Sequence, residues 1–230
     1  KAVSISAAIH SCAPDCVVHC AAYTNVDRAE TEREICYAVN VAGTEHVARA
    51  CKALRAKMVY ISTDFVFDGG GEEPFLIDSP RAPVNHYGET KSLGEDRVRA
   101  LVSEHFIVRT AWVFGKNGNN FVKTMLRLGA ERGELKVVND QIGSPTYTAD
   151  LARLLCDMLQ TDRYGTYHAT NEGCCSKFEF AREIFTQAGL SCRALPVSTE
   201  EFPSPAQRPR NSRLDRSSLD IEGFSRMPDW

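Results

Sequence analysis

Met58-Val59-Tyr60-Ile61-Ser62-Thr63-Asp64, followed after a loop by Asn85-His86-Tyr87-Gly88-Glu89-Thr90-Lys91, decides how this chain folds. Met58 to Ser62 is a short apolar run of the kind that forms a buried strand. Gly69-Gly70-Gly71 and the prolines up to Pro83 form the loop. The Asn85 side chain can accept from a free helical N–H, so it caps a helix carrying Tyr87 to about Val102. Strand, loop and helix in that order make one step of a layered α/β fold.

The same alternation continues on both sides. Residues 2–12 read as a helix, and Val17 to Ala22 as a short buried strand. Residues 31–54 carry two helical stretches, with Val39, Val47, Ala50 and Leu54 at helical spacing. Phe106-Ile107-Val108-Arg109 is a third strand, and Trp112-Val113-Phe114-Gly115 follows it. Residues 119–132 read as a helix and Leu135 to Val138 as a strand. Thr148 or Asp150 opens a helix to about Leu159, and Gly165 to Ala169 is strand-like. Ser176 caps a helix to about Ala188, and Pro203 to Arg210 is an extended tail. Strands separated by helices of this length call for right-handed crossovers and a parallel sheet. No internal repeat or low-complexity segment interrupts the pattern.

Composition narrows the class. At 230 residues, 43% apolar and 25% charged, the chain can bury one or two ordinary globular cores. A net charge of −3 without a long basic run argues against nucleic acid as a partner. No apolar run nears the roughly 20 residues needed to span a bilayer, and the start lacks the apolar core of a signal peptide. A cytoplasmic location and no membrane partner are expected. Nine cysteines, including Cys16, Cys20, Cys36, Cys51 and Cys156, are scattered through strand-like and helix-like runs. That suits buried or half-buried reduced thiols better than a disulfide framework. Their spacing, including the Cys174-Cys175 pair, does not make a zinc site, so no metal is expected.

The chemistry gathers on the deciding stretch. Tyr87 and Lys91 stand one helical turn apart on one face. A phenol ordinarily titrates near pH 10, and a nearby ammonium is expected to lower it. Thr63 lies upstream, where a strand emerges into a loop, the place where open α/β sheets bind ligands. Thr63, Tyr87 and Lys91 together suit proton delivery to a carbonyl beside a nicotinamide. Thr63 would also donate to the carbonyl oxygen, and Asp64 would hold a sugar hydroxyl. The plainer reading is that Thr63 and Asp64 cap a turn. Ala21-Ala22-Tyr23-Thr24 follows another strand; its small residues suit either a closely approaching cofactor or tight packing. Trp112 is either a wall of the site or core. Arg208 suits either a phosphate or the surface.

With these residues aligned, the chain resembles the dTDP-4-dehydrorhamnose reductases, extended members of the short-chain dehydrogenase/reductase superfamily. Val17 to Asp27 with Glu30 resembles the family's V-x-x-AAYT-x-VD-x-AE stretch, and Asn40 to Thr44 its N-x-x-G helix. Ser62 to Gly69 is similar to STDYVFDG, with Phe65 where the family usually has Tyr. Tyr87 to Glu95 is similar to YG-x-(S/T)-K-x-x-GE. Arg109 to Gly115, Asn120 to Val122, Asp140 to Thr146 and Pro205 to Pro209 follow in the family's order.

The resemblance implies a Rossmann-like doubly wound parallel sheet with a smaller C-terminal substrate-binding region. Residues 1–138 would be the remainder of the NAD(P)-binding domain, and 139–230 mainly the substrate-binding region, with some segments returning to the first. The family's N-terminal strand and Gly-rich loop are missing from the chain and are expected to precede it; a final helix is expected beyond Trp230. The implied reaction is reduction of the C4 ketone of dTDP-4-dehydro-L-rhamnose with NADPH or NADH. Tyr87 would be the proton donor, with Lys91 supporting it and the cofactor. Thr63, Asp64 and Trp112 would bind substrate, and Ala21, Ala22, Tyr23, Tyr87 and Lys91 the cofactor. The implied partner is a dTDP-sugar, and a homodimer is compatible with the pattern. A non-catalytic subunit resembling methionine adenosyltransferase β, or a nucleotide-sugar epimerase or dehydratase, shares parts of it.

Overall fold

The computed structural model describes residues 2–230, with Ala2 and Val3 described by backbone alone. Its first part runs α1 (Ala2–Cys12), β1 (Cys16–His19), α2 (Val26–Ala29), α3 (Arg33–Tyr37), a wide π turn (Ala38–Gly43), α4 (Thr44–Leu54), β2 (Lys57–Thr63), a 3-10 turn (Asp64–Val66), α5 (His86–Leu101) and β3 (His105–Thr110). The chain continues through β4 (Val113–Phe114), α6 (Phe121–Glu131), β5 (Glu134–Val138), β6 (Ile142–Gly143), β7 (Thr146–Tyr147) and α7 (Thr148–Leu159). It ends with β8 (Gly165–His168), β9 (Cys175–Ser176), α8 (Lys177–Gln187), β10 (Arg193–Val197), β11 (Asn211–Ser212) and α9 (Ser217–Ile221).

The main sheet has the order β1-β2-β3-β8, with every pair parallel. Met58, Val59, Tyr60, Phe106, Ile107 and Val108 are fully buried. One face packs on Val47, Ala48, Cys51, Val98 and Val102 of α4 and α5 with its loop. The other packs on Leu151, Leu154, Leu155 and Met158 of α7 and Leu219 of α9. Cover on both faces explains why β2 and β3 read as unbroken apolar runs rather than alternating ones. Each such side chain contributes about 1.5–3 kcal/mol on burial.

A second core holds Met125 of α6, Leu135 and Val137 of β5, and Phe180, Ala181, Ile184 and Phe185 of α8. Here β5 pairs in parallel with β10, and β6 lies between β11 and β9. The short pair β4–β7 links the two cores. β8, from late in the chain, completes the main sheet beside β3.

The sequence reading differs from the structure in several places. The first strand stops at His19 rather than Ala22, because the chain leaves the sheet and Asn40 takes over its bonding: Tyr23 N–H donates to Asn40 Oδ1 at 2.7 Å. The two helical stretches of residues 31–54 are joined by the π turn that carries Asn40. Cys16, Cys20 and Cys156 are exposed rather than buried. Cys16 opens an edge strand, and Cys156 lies on the outer side of α7. Among the described residues no helix is long and apolar enough to cross a membrane.

Candidate active site

The site forms where the C-terminal ends of β2 and β3 meet the first turns of α5. Asn85 Oδ1 accepts from Gly88 N–H at 2.8 Å, closing the start of α5, while Asn85 Nδ2 donates to the Gln207 carbonyl at 2.8 Å. Glu30 Oε1 accepts from His86 N–H at 2.8 Å. Gly88 lets this turn press on the strand-end loop: a Cβ there would lie 2.1 Å from the Phe65 carbonyl oxygen. The helix therefore delivers Tyr87 directly beside the 3-10 turn.

A cleft of about 540 Å³ opens there. Thr63, Asp64, Tyr87, Lys91, Trp112 and Ala22 all line it. Ala21 and Tyr23, expected at the cofactor, are not in the lining. The Tyr23 backbone is held by Asn40 and its hydroxyl donates to Glu32, which turns the residue to the side.

Thr63 is the hub. Its hydroxyl donates to Asp64 Oδ1 at 2.9 Å and accepts from Phe65 N–H at 3.2 Å, and it lines the cleft together with Tyr87. Phe65 meets Tyr87 edge-on, with ring centroids 5.6 Å apart. Burial, and then the negative charge of Asp64, push the phenol well above its ordinary pKa. This corrects the expectation that Lys91 would lower it. The Lys91 ammonium instead donates to the Ile61 carbonyl at 2.7 Å and lies 4.1 Å from the centroid of the Tyr60 ring. Burial pulls Lys91 down to about 8, with Glu95 opposing.

Asp64 is buried, and burial pushes its carboxyl up to about 6 against the Ser212 and Thr63 hydroxyls and the Lys177 charge. Its Oδ2 and the Thr110 hydroxyl are buried without a hydrogen-bond partner among the described residues. Both residues line the cleft. Trp112 is held at φ +48, a costly backbone for a non-glycine residue and one that clusters at functional sites. Gly143 makes room for its indole: a Cβ there would lie 2.8 Å from Trp112 Cε2.

Behind the cleft lies a network that sequence reasoning missed. Glu95 follows Tyr87 and Lys91 at the same spacing on α5 and is fully buried. It accepts from Ser62 Oγ at 2.6 Å, from Arg109 Nε at 2.8 Å and Nη2 at 2.9 Å, and from Arg99. Hydrogen bonding and charge from Arg109 hold its carboxyl down to about 2 against its burial. Asn40 ties Tyr23 to Thr90, its Nδ2 donating to Thr90 Oγ1 at 3.0 Å. The available signal for Glu95 and Arg109 was a charge at i+8 from Tyr87 and another inside an apolar strand.

The Lys91 ammonium, reaching from α5 to the Ile61 carbonyl near the end of β2, and small Ala22 fit a dinucleotide lying across the carboxyl ends of the strands.

The family described as RmlD substrate binding domain matches residues 1–230. The spore coat polysaccharide biosynthesis protein SpsK of Bacillus subtilis is 42% identical over 92% of this chain and 74% of its own. A dTDP-4-dehydrorhamnose reductase of Mycobacterium tuberculosis is 43% identical over 94% of this chain and 73% of its own. The crystal structure of dTDP-4-dehydrorhamnose reductase from Bacillus anthracis in complex with NADP superposes with a TM-score of 0.98 at 48% identity, covering 100% of this chain and 82% of that one. The ordered motifs, the sheet and these likenesses agree: the chain belongs to the dTDP-4-dehydrorhamnose reductase family.

Proposed function

We propose that this protein reduces the C4 ketone of dTDP-4-dehydro-L-rhamnose to give dTDP-L-rhamnose, using NADPH or NADH. The observation that carries the reading is the convergence of Thr63, Tyr87 and Lys91 on one cleft at the strand ends. The NADP bound to the Bacillus anthracis relative supports a nicotinamide cofactor here. When bound, the reduced nicotinamide supplies a hydride to the carbonyl carbon.

The chain's own residues do the rest. Tyr87 gives its proton to the ketone oxygen; its raised pKa keeps it protonated at neutral pH, the form a donor needs. On substrate binding the Thr63 hydroxyl turns its single proton from Asp64 Oδ1 to the same oxygen as charge builds on it. Lys91, on α5, anchors the ribose side of the cofactor beside the end of β2. Asp64 accepts a sugar hydroxyl through Oδ2, and Trp112 walls the sugar from solvent. Residues 1–138 serve mainly the cofactor and 139–230 mainly the sugar nucleotide. The nine unpaired cysteines fit a reducing compartment, so we place the reaction in the cytoplasm.

The test is turnover of dTDP-4-dehydro-L-rhamnose followed by cofactor absorbance and product chromatography. One NAD(P)H should be consumed per dTDP-L-rhamnose formed. Conversion of the substrate to an isomeric ketone at the same oxidation level, without net cofactor consumption, would instead identify an epimerase-like enzyme, and a folded protein that binds but does not turn over would sink the reading.

A further inference from the structure

Glu30 belongs to the motif that opens at Val17, yet it does not line the cleft and the chemistry above gives it no task. It closes α2 directly after the buried Ala29. α2 follows the segment that leaves β1, and Cys20, Ala22, Thr24 and Val26 of that stretch line the cleft. One end of the stretch therefore faces the ligand, and the other ends in a carboxylate.

That carboxylate crosses to the helix that carries Tyr87. Glu30 Oε1 accepts from His86 N–H at 2.8 Å, 56 residues along the chain, and Oε2 lies 3.7 Å from Arg33 Nη1. The buried His86 ring repeats the contact: Nε2 meets the Arg33 carbonyl of α3 at 3.1 Å, and Nδ1 meets Glu89 Oε2 at 2.8 Å. The first N–H groups of a helix have no partner within it. In α5, Glu30 takes that of His86 and Asn85 takes that of Gly88, with Tyr87 between them. The Asn85 Oδ1 bond is local and shapes the turn. The Glu30 bond comes from another element and places it. Its target is the main chain of the residue before Tyr87. Planar peptide units leave few soft dihedrals between the two, so a shift there passes on to Tyr87.

We infer that Glu30 is a positioning residue for the reaction: its carboxylate fixes the first turn of α5, and with it Tyr87, to the cleft-lining stretch that follows β1. Taking Tyr87 as the proton donor rests on the function proposed above; the clasp itself does not. The bland alternative is that Glu30 only places a favourable negative charge at a helix start.

Substitutions at Glu30 separate reach from charge. Glu30→Gln keeps the length and the accepting oxygen and loses the charge. Glu30→Asp keeps the charge but, one methylene shorter, withdraws the oxygen. Glu30→Ala removes both. Amide hydrogen exchange reads the clasp directly: the His86 amide should exchange roughly tenfold faster in Glu30→Asp and Glu30→Ala and near the wild-type rate in Glu30→Gln. Steady-state reduction of the sugar should follow the same order. In Glu30→Asp and Glu30→Ala kcat should fall roughly tenfold, with KM within about twofold of wild type. In a Tyr87→Phe background the same substitutions should cost little, since they act through the phenol. An unchanged His86 amide in Glu30→Ala, wild-type kcat in Glu30→Asp, or an equal loss in both backgrounds overturns the inference. Failure of the wild-type protein to turn over the sugar would overturn the proposed function and leave amide exchange to decide the clasp.

Discussion

The Arg208 guanidinium grips both carboxylate oxygens of Asp27, Nη1 to Oδ1 at 2.8 Å and Nη2 to Oδ2 at 2.9 Å, across 181 residues of chain. Ala206 N–H donates to the same Oδ1 at 3.3 Å, and Arg208 also donates to Ser204 Oγ at 2.7 Å. The late irregular segment is thereby fastened to the short helix after β1. That helix begins at Val26, which lines the cleft. The Arg208 hydrogen bond, the largest cause, holds the Asp27 carboxyl below its usual range. Of the two roles open from sequence, phosphate or surface, the fork geometry assigns Arg208 to a third: a clasp between chain segments.

Asp27→Asn keeps the shape of the clasp and removes its charge. Both side chains are about a third exposed, so solvent screens the pair and the stability loss should be about 1 kcal/mol or less. The larger effect should be local. Proteolysis between Phe202 and Arg210 should quicken, and KM should rise with kcat little changed. A tail as resistant as in wild type would show that the clasp does not hold it.

Tyr87→Phe should retain the fold and lose roughly 100-fold or more in turnover, the scale of a general acid. Thr63→Val removes the hydroxyl that bonds Asp64 and the Phe65 N–H beside Tyr87 in the cleft while keeping a branched strand residue, and should cost roughly 100-fold. The two losses should be far from additive in a double variant, because both act on one proton. Independent, multiplicative losses would separate Thr63 from the proton path.

How much of this was legible depends on what each signal competed with. β2, β3 and α5 stood out because sheet faces buried on both sides make continuous apolar runs, and Asn85 marks a helix start with a mechanism. Thr63, Asp64, Tyr87 and Lys91 were readable because strand ends and helical spacing fix their relation locally. β10 was not, since Pro196 in a run argues against a strand; it is tolerated because, among the described residues, β10 pairs with β5 alone and so keeps a free edge. β4, β6, β7, β9 and β11 are two residues each, too short for any period to show. Lys177 carried no signal at all: it looks like an ordinary residue after a helix cap, and only tertiary packing sets it on Trp112.

Glu95 ties acid stability to the network behind the site. Its folded-state carboxyl is held near 2, against an ordinary value of 4.5. A depressed acid contributes stability that is fully present above the ordinary value and is lost as pH falls from there through about 2. The contribution is on the order of 3 kcal/mol, by the usual conversion of a shift into free energy. Glu95→Gln strands the buried Arg109 guanidinium without its partner and should cost about 3–5 kcal/mol at neutral pH. Denaturant unfolding should show the acid-side decline between those two values flattened in the variant. An unchanged pH dependence would mean that Glu95 does not dominate this titration.

Gly88→Ala tests whether the helix start must touch the strand-end loop. The added Cβ would meet the Phe65 carbonyl oxygen at 2.1 Å and its carbon at 3.0 Å, with Pro83 Cβ also at 3.0 Å. Backbone cannot swing aside as a flexible side chain can, so the first turn of α5 must move away from the 3-10 turn. Overpacking of this kind costs about 1–3 kcal/mol. Ala is otherwise the better helix residue, worth about 1 kcal/mol in the opposite direction, so the net change in stability should be modest. Activity should fall much further, because Tyr87 precedes Gly88 and its phenol must stay beside Thr63 in the cleft. The variant should therefore melt within a few degrees of wild type while kcat drops roughly 100-fold. Retained kcat would mean that the close approach serves packing and not the alignment of Tyr87.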